Sequence, residues 1–287
     1  GEEDPMRDLA GKGVFITGAA SGIGRGMARA FAGAGMKLAL ADLERDPLAE
    51  VEAELKQAGA HVLALELDVT DRAAVQAAGS QVAAQLGKLH LLCNNAGVGS
   101  SATPLQDETA DNWDWVLGVN LMGQINVLLA FLPLIQGHGE GGHIVNTSSM
   151  SGLRVRAGKG QGIYVTTKAG IIAMSEALRI DLGGTEIGVS VLCPGPVASN
   201  IQDSGRNRPE KYGGRFQKPA DDPLKRASND GFSADAVGRR VRLAVEEDDF
   251  YIVTHATLGP EFKARADEIL AAIEREAALG FDYEDGR

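Results

Sequence analysis

Short aliphatic runs alternate with stretches of helical periodicity along most of this chain, and that alternation admits few folds. The runs are Val14–Thr17, Lys37–Ala41, His61–Leu67, Leu89–Asn94, His143–Thr147 and Gly188–Cys193. They are β-branched and aliphatic on both faces, as strands buried inside a parallel sheet are. Helical patterns lie between them at Gly24–Ala34, Leu48–Ala58, Arg72–Leu86, Asn112–Ile135 and Gly162–Leu182. Strand-then-helix repetition predicts an α/β fold, a parallel sheet covered by helices on both faces. Right-handed crossovers then make the sheet doubly wound. After Cys193 the pattern breaks. Ser199 to Gly231 is rich in Gly, Pro, Asn, Arg and Asp with little periodicity, and a helix (Ser233–Val245), a strand (Phe250–Thr254) and an acidic helical tail (Pro260–Ala278) follow. No linker or internal repeat interrupts the chain. Residues 9–256 therefore read as one domain, with 1–8 as an N-terminal tail, 200–231 as an insert inside the domain and 257–287 as a C-terminal helical extension.

Composition removes whole classes of function. With 287 residues and 44% hydrophobic content, a sizeable core can be buried. A net charge of −11 opposes nucleic-acid binding, which needs a basic face for the phosphates. No uninterrupted apolar run reaches the roughly 18 residues of a membrane span, so no membrane partner is expected. The acidic Gly1–Met6 resembles neither a signal nor a transit peptide, and a cytoplasmic location is the expectation. Cys93 and Cys193 each end an apolar run and read as small core hydrophobes. There is no Cys-x-x-Cys, and five scattered histidines give no metal-binding spacing, so no metal is expected.

The first strand runs into Thr17-Gly18-Ala19-Ala20-Ser21-Gly22-Ile23-Gly24 and then a helix. Glycines permit a tight turn and bring backbone N–H groups up to a pyrophosphate at the helix N-terminus, although glycines in such turns also serve packing alone. The context favours a dinucleotide: Asp42 ends the second strand, placed to accept hydrogen bonds from ribose hydroxyls and to repel a 2′-phosphate. Leu43 follows it, so no cation stands immediately beside the carboxylate. A P-loop is excluded, because no Gly-Lys-Ser/Thr closes the run, and Gly158-Lys159 lacks both the hydroxyl residue and a preceding strand.

Four further segments extend the pattern: Asn94-Asn95-Ala96-Gly97; Asn120 within Val119-Asn120-Leu121; Ser149 followed by Tyr164-Val165-Thr166-Thr167-Lys168; and Pro194-Gly195-Pro196-Val197-Ala198-Ser199. In this order and spacing the chain resembles the short-chain dehydrogenase/reductase family from roughly Leu9 to Thr254. The resemblance implies a single-domain Rossmann fold with NAD as cofactor. It implies Asn120, Ser149, Tyr164 and Lys168 as catalytic residues. It implies cofactor contacts from Gly18, Ser21, Gly22, Ile23, Gly24, Asp42, Leu43, Asp68, Val69, Asn95, Ala96, Gly97, Tyr164, Lys168, Pro194, Gly195, Val197 and Ser199. It also implies a homodimer or homotetramer packed through the helices at Asn112–Ile135 and Gly162–Leu182. Three features depart from the family. Extra residues surround Arg156-Ala157-Gly158-Lys159-Gly160. The usual Val-Asp-Gly-Gly ending is replaced by Tyr251-Ile252-Val253-Thr254-His255, which puts the second oligomer contact in doubt. The Asn200–Asn207 stretch, running on to Arg208-Pro209, is similar to bacterial enzymes that oxidise the Cα alcohol of lignin-type aryl ethers.

The residue types suit proton movement coupled to hydride transfer. Tyr164 and Lys168 are four apart and share a helix face. A phenol is a poor base at neutral pH unless a cation stabilises its anion, and Lys168 supplies one. Ser149 can hold the substrate oxygen, Asn120 can bind a water linking Lys168 to solvent, and Asp68 can accept from the adenine amino group or simply close a turn. The expected activity interconverts a secondary alcohol and a ketone, with a bulky aromatic alcohol suggested by the closer resemblance. The alternatives are a ketoacyl-type reductase, a dehydratase or epimerase on the same scaffold, and a non-catalytic NAD-binding protein. The 200–231 insert reads either as a lid or as a solvated surface loop. As a lid it would cover an aromatic substrate with Ile201, Tyr212 and Phe216, and its Arg206, Arg208, Lys211, Arg215, Lys218, Lys225 and Arg226 would meet an oxygen-rich or anionic group through an arginine.

Overall fold

Each aliphatic run becomes a strand in the computed structural model, which describes residues 6–100, 103–155 and 160–279. Strands β1 (Gly13–Thr17), β2 (Lys37–Asp42), β3 (Val62–Glu66), β4 (Leu91–Asn94), β5 (Gly142–Thr147), β6 (Ile187–Cys193) and β7 (Tyr251–Val253) form one parallel sheet in the order β3-β2-β1-β4-β5-β6-β7. Helices are α1 (Gly22–Gly33), α2 (Arg45–Gln57), α3 (Arg72–Leu86), α4 (Ala110–Leu117), α5 (Gly123–Gln136), α6 (Met150–Leu153), α7 (Gly162–Asp181), α8 (Pro223–Asn229), α9 (Ala234–Glu246) and α10 (Gly259–Leu279). Strand order reverses between β1 and β4, which opens a crevice at the carboxyl ends of these strands.

Alternation along β1 shows why the strands are apolar throughout. Val14 and Ile16 join the core made with Met27, Phe31, Val51 and Val241 from α1, α2 and α9. Phe15 points the other way into the core of α3, α5 and α7, stacked 3.9 Å from Phe131. Helices α1 and α9 cross in backbone contact: a Cβ on Gly26 would lie 2.1 Å from the Ala234 carbonyl oxygen, and one on Gly238 2.2 Å from that of Gly26. Only glycine permits this approach.

Several boundaries differ from the sequence expectation. Helix α1 starts at Gly22 rather than Gly24, so its first turn contains the glycine bend itself. The predicted helix Asn112–Ile135 is not uniform: α4 and α5 are joined through a π-helical turn at Gly118–Met122, which periodicity alone does not reveal. The 200–231 insert is more ordered than its composition suggests, with 3-10 turns at Ile201–Asn207 and Glu210–Tyr212 ahead of α8. The joined Ala110–Gln136 span is long and apolar enough to cross a membrane by length and mean hydropathy, contrary to the sequence expectation. Half of that window is buried, and Val127, Phe131 and Ile135 pack under the sheet, which makes it a core helix.

Two of the histidines that look scattered in sequence meet at the amino-terminal edge of β4 and β5. The potential ligand atoms of His90, His138 and Glu140 lie within 4.8 Å of one another. All four imidazole nitrogens are already engaged. His90 Nδ1 accepts from the Gly13 N–H (3.3 Å) and His138 Nδ1 from the Glu140 N–H (3.1 Å). His90 Nε2 meets Glu140 (3.1 Å) and His138 Nε2 meets the Leu89 carbonyl (2.7 Å). The cluster ties two loops together far from the crevice.

Candidate active site

The glycine turn forms one wall of the crevice. Gly18 (φ +65°) and Gly22 (φ +50°) adopt left-handed backbone, and a Cβ at Gly22 would sit 2.8 Å from Cβ of Ser199. The N-cap of α1, Ser21, makes no side-chain capping bond, so the first-turn N–H groups remain available to an anion. Thr17 Oγ1 accepts from the N–H groups of Asn95 (2.9 Å) and Ala96 (3.0 Å), and the Asn95 amide donates back to the Thr17 carbonyl (3.1 Å). These bonds lock the ends of β1 and β4 together as the floor.

Asp42 closes the far end. Its Oδ2 accepts from the Ala20 N–H and its Oδ1 from the Glu44 N–H, both at 3.0 Å. Burial raises its pKa, opposed by those two backbone donors, and hydroxyl donors in the cleft would compensate a carboxylate in this condition. Asp68 lines the same cleft, while its Oδ1 accepts from the Thr70 N–H and hydroxyl at 2.8 Å. It therefore closes a strand-end turn at the cleft's edge.

At the other end, β5 and α7 bring the polar residues together. Ser149 caps α6, accepting from the Ser151 N–H at 3.1 Å, and its hydroxyl lies close enough to the Tyr164 phenol to favour the phenolate. One turn along α7, Lys168 is 2% exposed. Its Nζ lies 5.6 Å from the Tyr164 ring centroid and donates to the Thr147 carbonyl at 3.1 Å. The Ser148 hydroxyl donates to the Lys168 carbonyl (2.6 Å), pinning α7 to the end of β5. Burial moves the two titrating groups in opposite directions. The Tyr164 phenol is pushed up to about 12 by desolvation, which the Ser149 hydroxyl partly counters. The Lys168 ammonium is pushed down to about 8 by its own desolvation. The expectation that Lys168 depresses the phenol is thus corrected for the free protein: the lowered value belongs to the lysine, because desolvation dominates both shifts.

Asn120 sits in the π-helical turn, wholly buried and outside both cavities. Its Oδ1 accepts from the Val98 N–H (2.7 Å), and its Nδ2 donates to the Val98 carbonyl (2.9 Å) and to Thr167 Oγ1 (3.3 Å). The turn places this amide to fix the Gly97–Val98 backbone beside Lys168.

Two cavities meet here. A cleft of about 210 Å³ runs along Gly18, Ser21, Gly22, Ile23, Asp42, Leu43, Asp68, Val69, Asn95, Ala96 and Gly97 to Lys168. A chamber of about 390 Å³ lies beyond, bounded by Ser149, Met150 and Gln161. Tyr164, Pro194 and Ser199 line both. Three expected cofactor contacts fall elsewhere. Gly24 lines neither cavity, because it packs on the Gly18 carbonyl, where a Cβ would be 2.0 Å from the oxygen. Gly195 and Val197 face the chamber rather than the cleft, because the chain turns away after Pro194. Arg156–Lys159 lie outside the described residues.

Residues of the 200–231 insert line both cavities. The Arg206 guanidinium grips the Glu44 carboxylate with two nitrogens, Nε at 2.9 Å, and holds its pKa down. Arg208 stands over Trp115 and Phe216, 5.6 and 5.7 Å from their centroids. Phe216 meets Trp115 edge-on at 6.0 Å, so it anchors the insert instead of facing the chamber. Tyr212 lines the cleft and Ile201 both cavities. Glu44, Trp115 and Thr17 carried no signal of their own in the sequence beyond adjacency to Asp42 and Gly18.

A profile of the short chain dehydrogenase family matches residues 12–210. This chain belongs to that family. Membership makes it a nicotinamide-dependent oxidoreductase. It is 34% identical over 287 residues to a C alpha-dehydrogenase of Sphingobium sp. strain SYK-6, covering 98% of this chain and 92% of the relative. A short chain dehydrogenase/reductase of Burkholderia phymatum, solved in complex with NAD, superposes with a TM-score of 0.87 at 38% identity over 92% of this chain and 96% of the other. The apo form of LigO from Sphingobium sp. strain SYK-6 gives 0.80 at 35% identity, over 97% and 93%.

Proposed function

We propose that this protein interconverts a bulky aromatic secondary alcohol and its ketone with NAD, through Tyr164 as the proton-exchanging group. One observation carries the reading. Tyr164, close to the Ser149 hydroxyl and backed by a buried Lys168, stands in the wall shared by a cleft with a dinucleotide's glycine cradle and a separate chamber.

The glycine cradle, the uncapped first turn of α1 and the desolvated Asp42 fit a dinucleotide, and Gly18, Ser21, Gly22, Ile23, Asp42, Leu43, Asp68, Val69, Asn95, Ala96, Gly97, Lys168, Pro194 and Ser199 would hold it. When bound, the nicotinamide supplies the hydride acceptor or donor. The protein supplies the proton path. The Ser149 hydroxyl holds the substrate oxygen, and Tyr164 Oη takes the alcohol proton. As it does so the phenol gives up its own proton, which the neutral amine of the neighbouring Lys168, titrating near 8, can take up. Asn120 is a positioning residue that keeps the backbone next to Lys168 in place. Asp42 favours NAD, because a 2′-phosphate would face its half-buried carboxylate; Arg206 of the insert is taken by Glu44. The same carboxylate disfavours the NADP-linked ketoacyl-type alternative. A chamber of about 390 Å³ lies within the size range of sites for drug-sized ligands, and the C alpha-dehydrogenase relative supports oxidation at a carbon borne by a larger framework. NADH formation across a panel of aryl and aliphatic secondary alcohols tests this; a preference for small aliphatic alcohols overturns it.

A further inference from the structure

The insert brings seven basic side chains to an acidic protein, and the structure shows where their charges go. Arg206 is taken by Glu44, and Lys225 pairs with Asp203 at 2.7 Å. Arg208 lies over two aromatic rings. Lys211, Arg215 and Arg226 are exposed to water. Lys218 is different. It is 9% exposed, lines the chamber that contains Ser149 and Tyr164, and makes one hydrogen bond, to the neutral Gln202 Oε1 at 2.6 Å.

An ammonium has three donors, and a buried one left without an anion is costly. Two carboxylates are near enough to act on it through space, but neither is hydrogen-bonded to it. Asp203 holds Lys225, and Asp222 accepts from the Leu224 and Lys225 N–H groups at 2.9 and 3.1 Å, capping α8. The chamber's other cation, Arg154, is paired with Glu261. Among the described lining residues, Lys218 is therefore the one lysine or arginine with no carboxylate hydrogen-bonded to it.

We propose that Lys218 is an anion anchor in the substrate chamber and selects secondary alcohols that carry a carboxylate. This rests on the proposed oxidoreductase reading of the same chamber, and it replaces the expected arginine with a lysine. The carboxylate accepts the ammonium donors that Gln202 leaves unused, while the carbinol oxygen meets Ser149 and Tyr164 from the same cavity. The lid then acts as a chemical filter as well as a cover.

The test uses the full-length protein with NAD and a matched pair, 1-phenylethanol and 4-(1-hydroxyethyl)benzoate. The corresponding ketones, acetophenone and 4-acetylbenzoate, are titrated calorimetrically into the NAD complex. A charge-assisted hydrogen bond predicts a preference for the carboxylate partner of about tenfold or more, in kcat/KM and in Kd. Lys218→Gln collapses that ratio towards unity, chiefly through KM, with the neutral partner as internal reference. Lys218→Arg, which keeps the charge and controls for folding, preserves a preference. No preference in the unsubstituted protein, or an unchanged ratio in Lys218→Gln, overturns the anchor. If neither alcohol is oxidised but the ketone binding ratio persists and depends on Lys218, the anchor stands and the proposed reaction falls.

Discussion

Replacing Lys168 by Met should stabilise the cofactor-free protein while abolishing its turnover. The buried ammonium is held at about 8 instead of 10.5. That displacement corresponds to about 3 kcal/mol of destabilisation whenever the side chain is charged. Methionine has a similar length and carries no charge. The hydrogen bond to the Thr147 carbonyl is lost, worth about 1 kcal/mol, but that carbonyl keeps a second donor, Gln124 Nε2 at 3.0 Å. The net gain at pH 7 is therefore roughly 1–3 kcal/mol, or a Tm rise of about 2–6 °C for a chain of this size. The pH dependence gives the reasoning its signature. Below pH 8 lysine is protonated in both folded and unfolded states, and the whole penalty is present. Between 8 and 10.5 the unfolded chain binds a proton that the folded one does not, so the stability of the unsubstituted protein rises relative to the variant. Above 10.5 both states are neutral and the advantage of Met disappears. Thermal and urea unfolding of both proteins from pH 7 to 11 would follow this. A variant less stable at pH 7, or a stability difference that stays flat across the range, refutes the argument that Lys168 is retained against its own desolvation.

Other outcomes follow from the same geometry. Tyr164→Phe should retain NAD affinity within a few-fold and lose most turnover, on the order of a hundredfold or more, measured by NADH formation. In the unsubstituted protein, alcohol oxidation should rise with pH through about 8, where Lys168 becomes the neutral amine that can take up the phenol proton; a rate that is flat between pH 6 and 10 contradicts this. NAD should be preferred over NADP by about tenfold or more in kcat/KM, and Asp42→Ser should erode that preference by weakening a like-charge contact of about 1–3 kcal/mol. Exposed Leu129 on α5 and Ile180 on α7, 63% and 78% accessible, suit a homodimer or homotetramer, and a monomer at micromolar concentration in light scattering would exclude one.

The sheet was legible because a parallel strand is buried on both faces and announces itself as an aliphatic run. The glycine turn was legible because few residues other than Gly adopt the backbone needed at positions 18 and 22. Tyr164 and Lys168 were legible as a pair because helical spacing is local. What escaped depends on distance or environment. Nothing in the order of residues shows that the break at Gly118–Met122 turns Asn120 towards Val98, since a π-turn follows from packing rather than from period. Nor does sequence show which of seven cations in the insert is buried: Arg206 and Lys218 are similar by composition, and only the fold sets one against Glu44 and the other in the chamber. The direction of the Tyr164 shift was misjudged for the same reason, because desolvation is a property of the surroundings.

The contact between Arg206 and Glu44 joins the lid to the loop two residues past Asp42, across the mouth of the dinucleotide cleft. Its two side chains are 31% and 22% accessible, so the pair is neither sealed from solvent nor freely hydrated. This attachment of the insert is therefore made by charge, whereas that at Trp115 and Phe216 involves aromatic surface. Dissolved electrolyte weakens a half-exposed ion pair and leaves buried aromatic packing almost untouched. Salt should therefore loosen the insert at Arg206–Glu44 more than at Trp115–Phe216, and cofactor affinity measured against ionic strength would show whether that contact matters to binding.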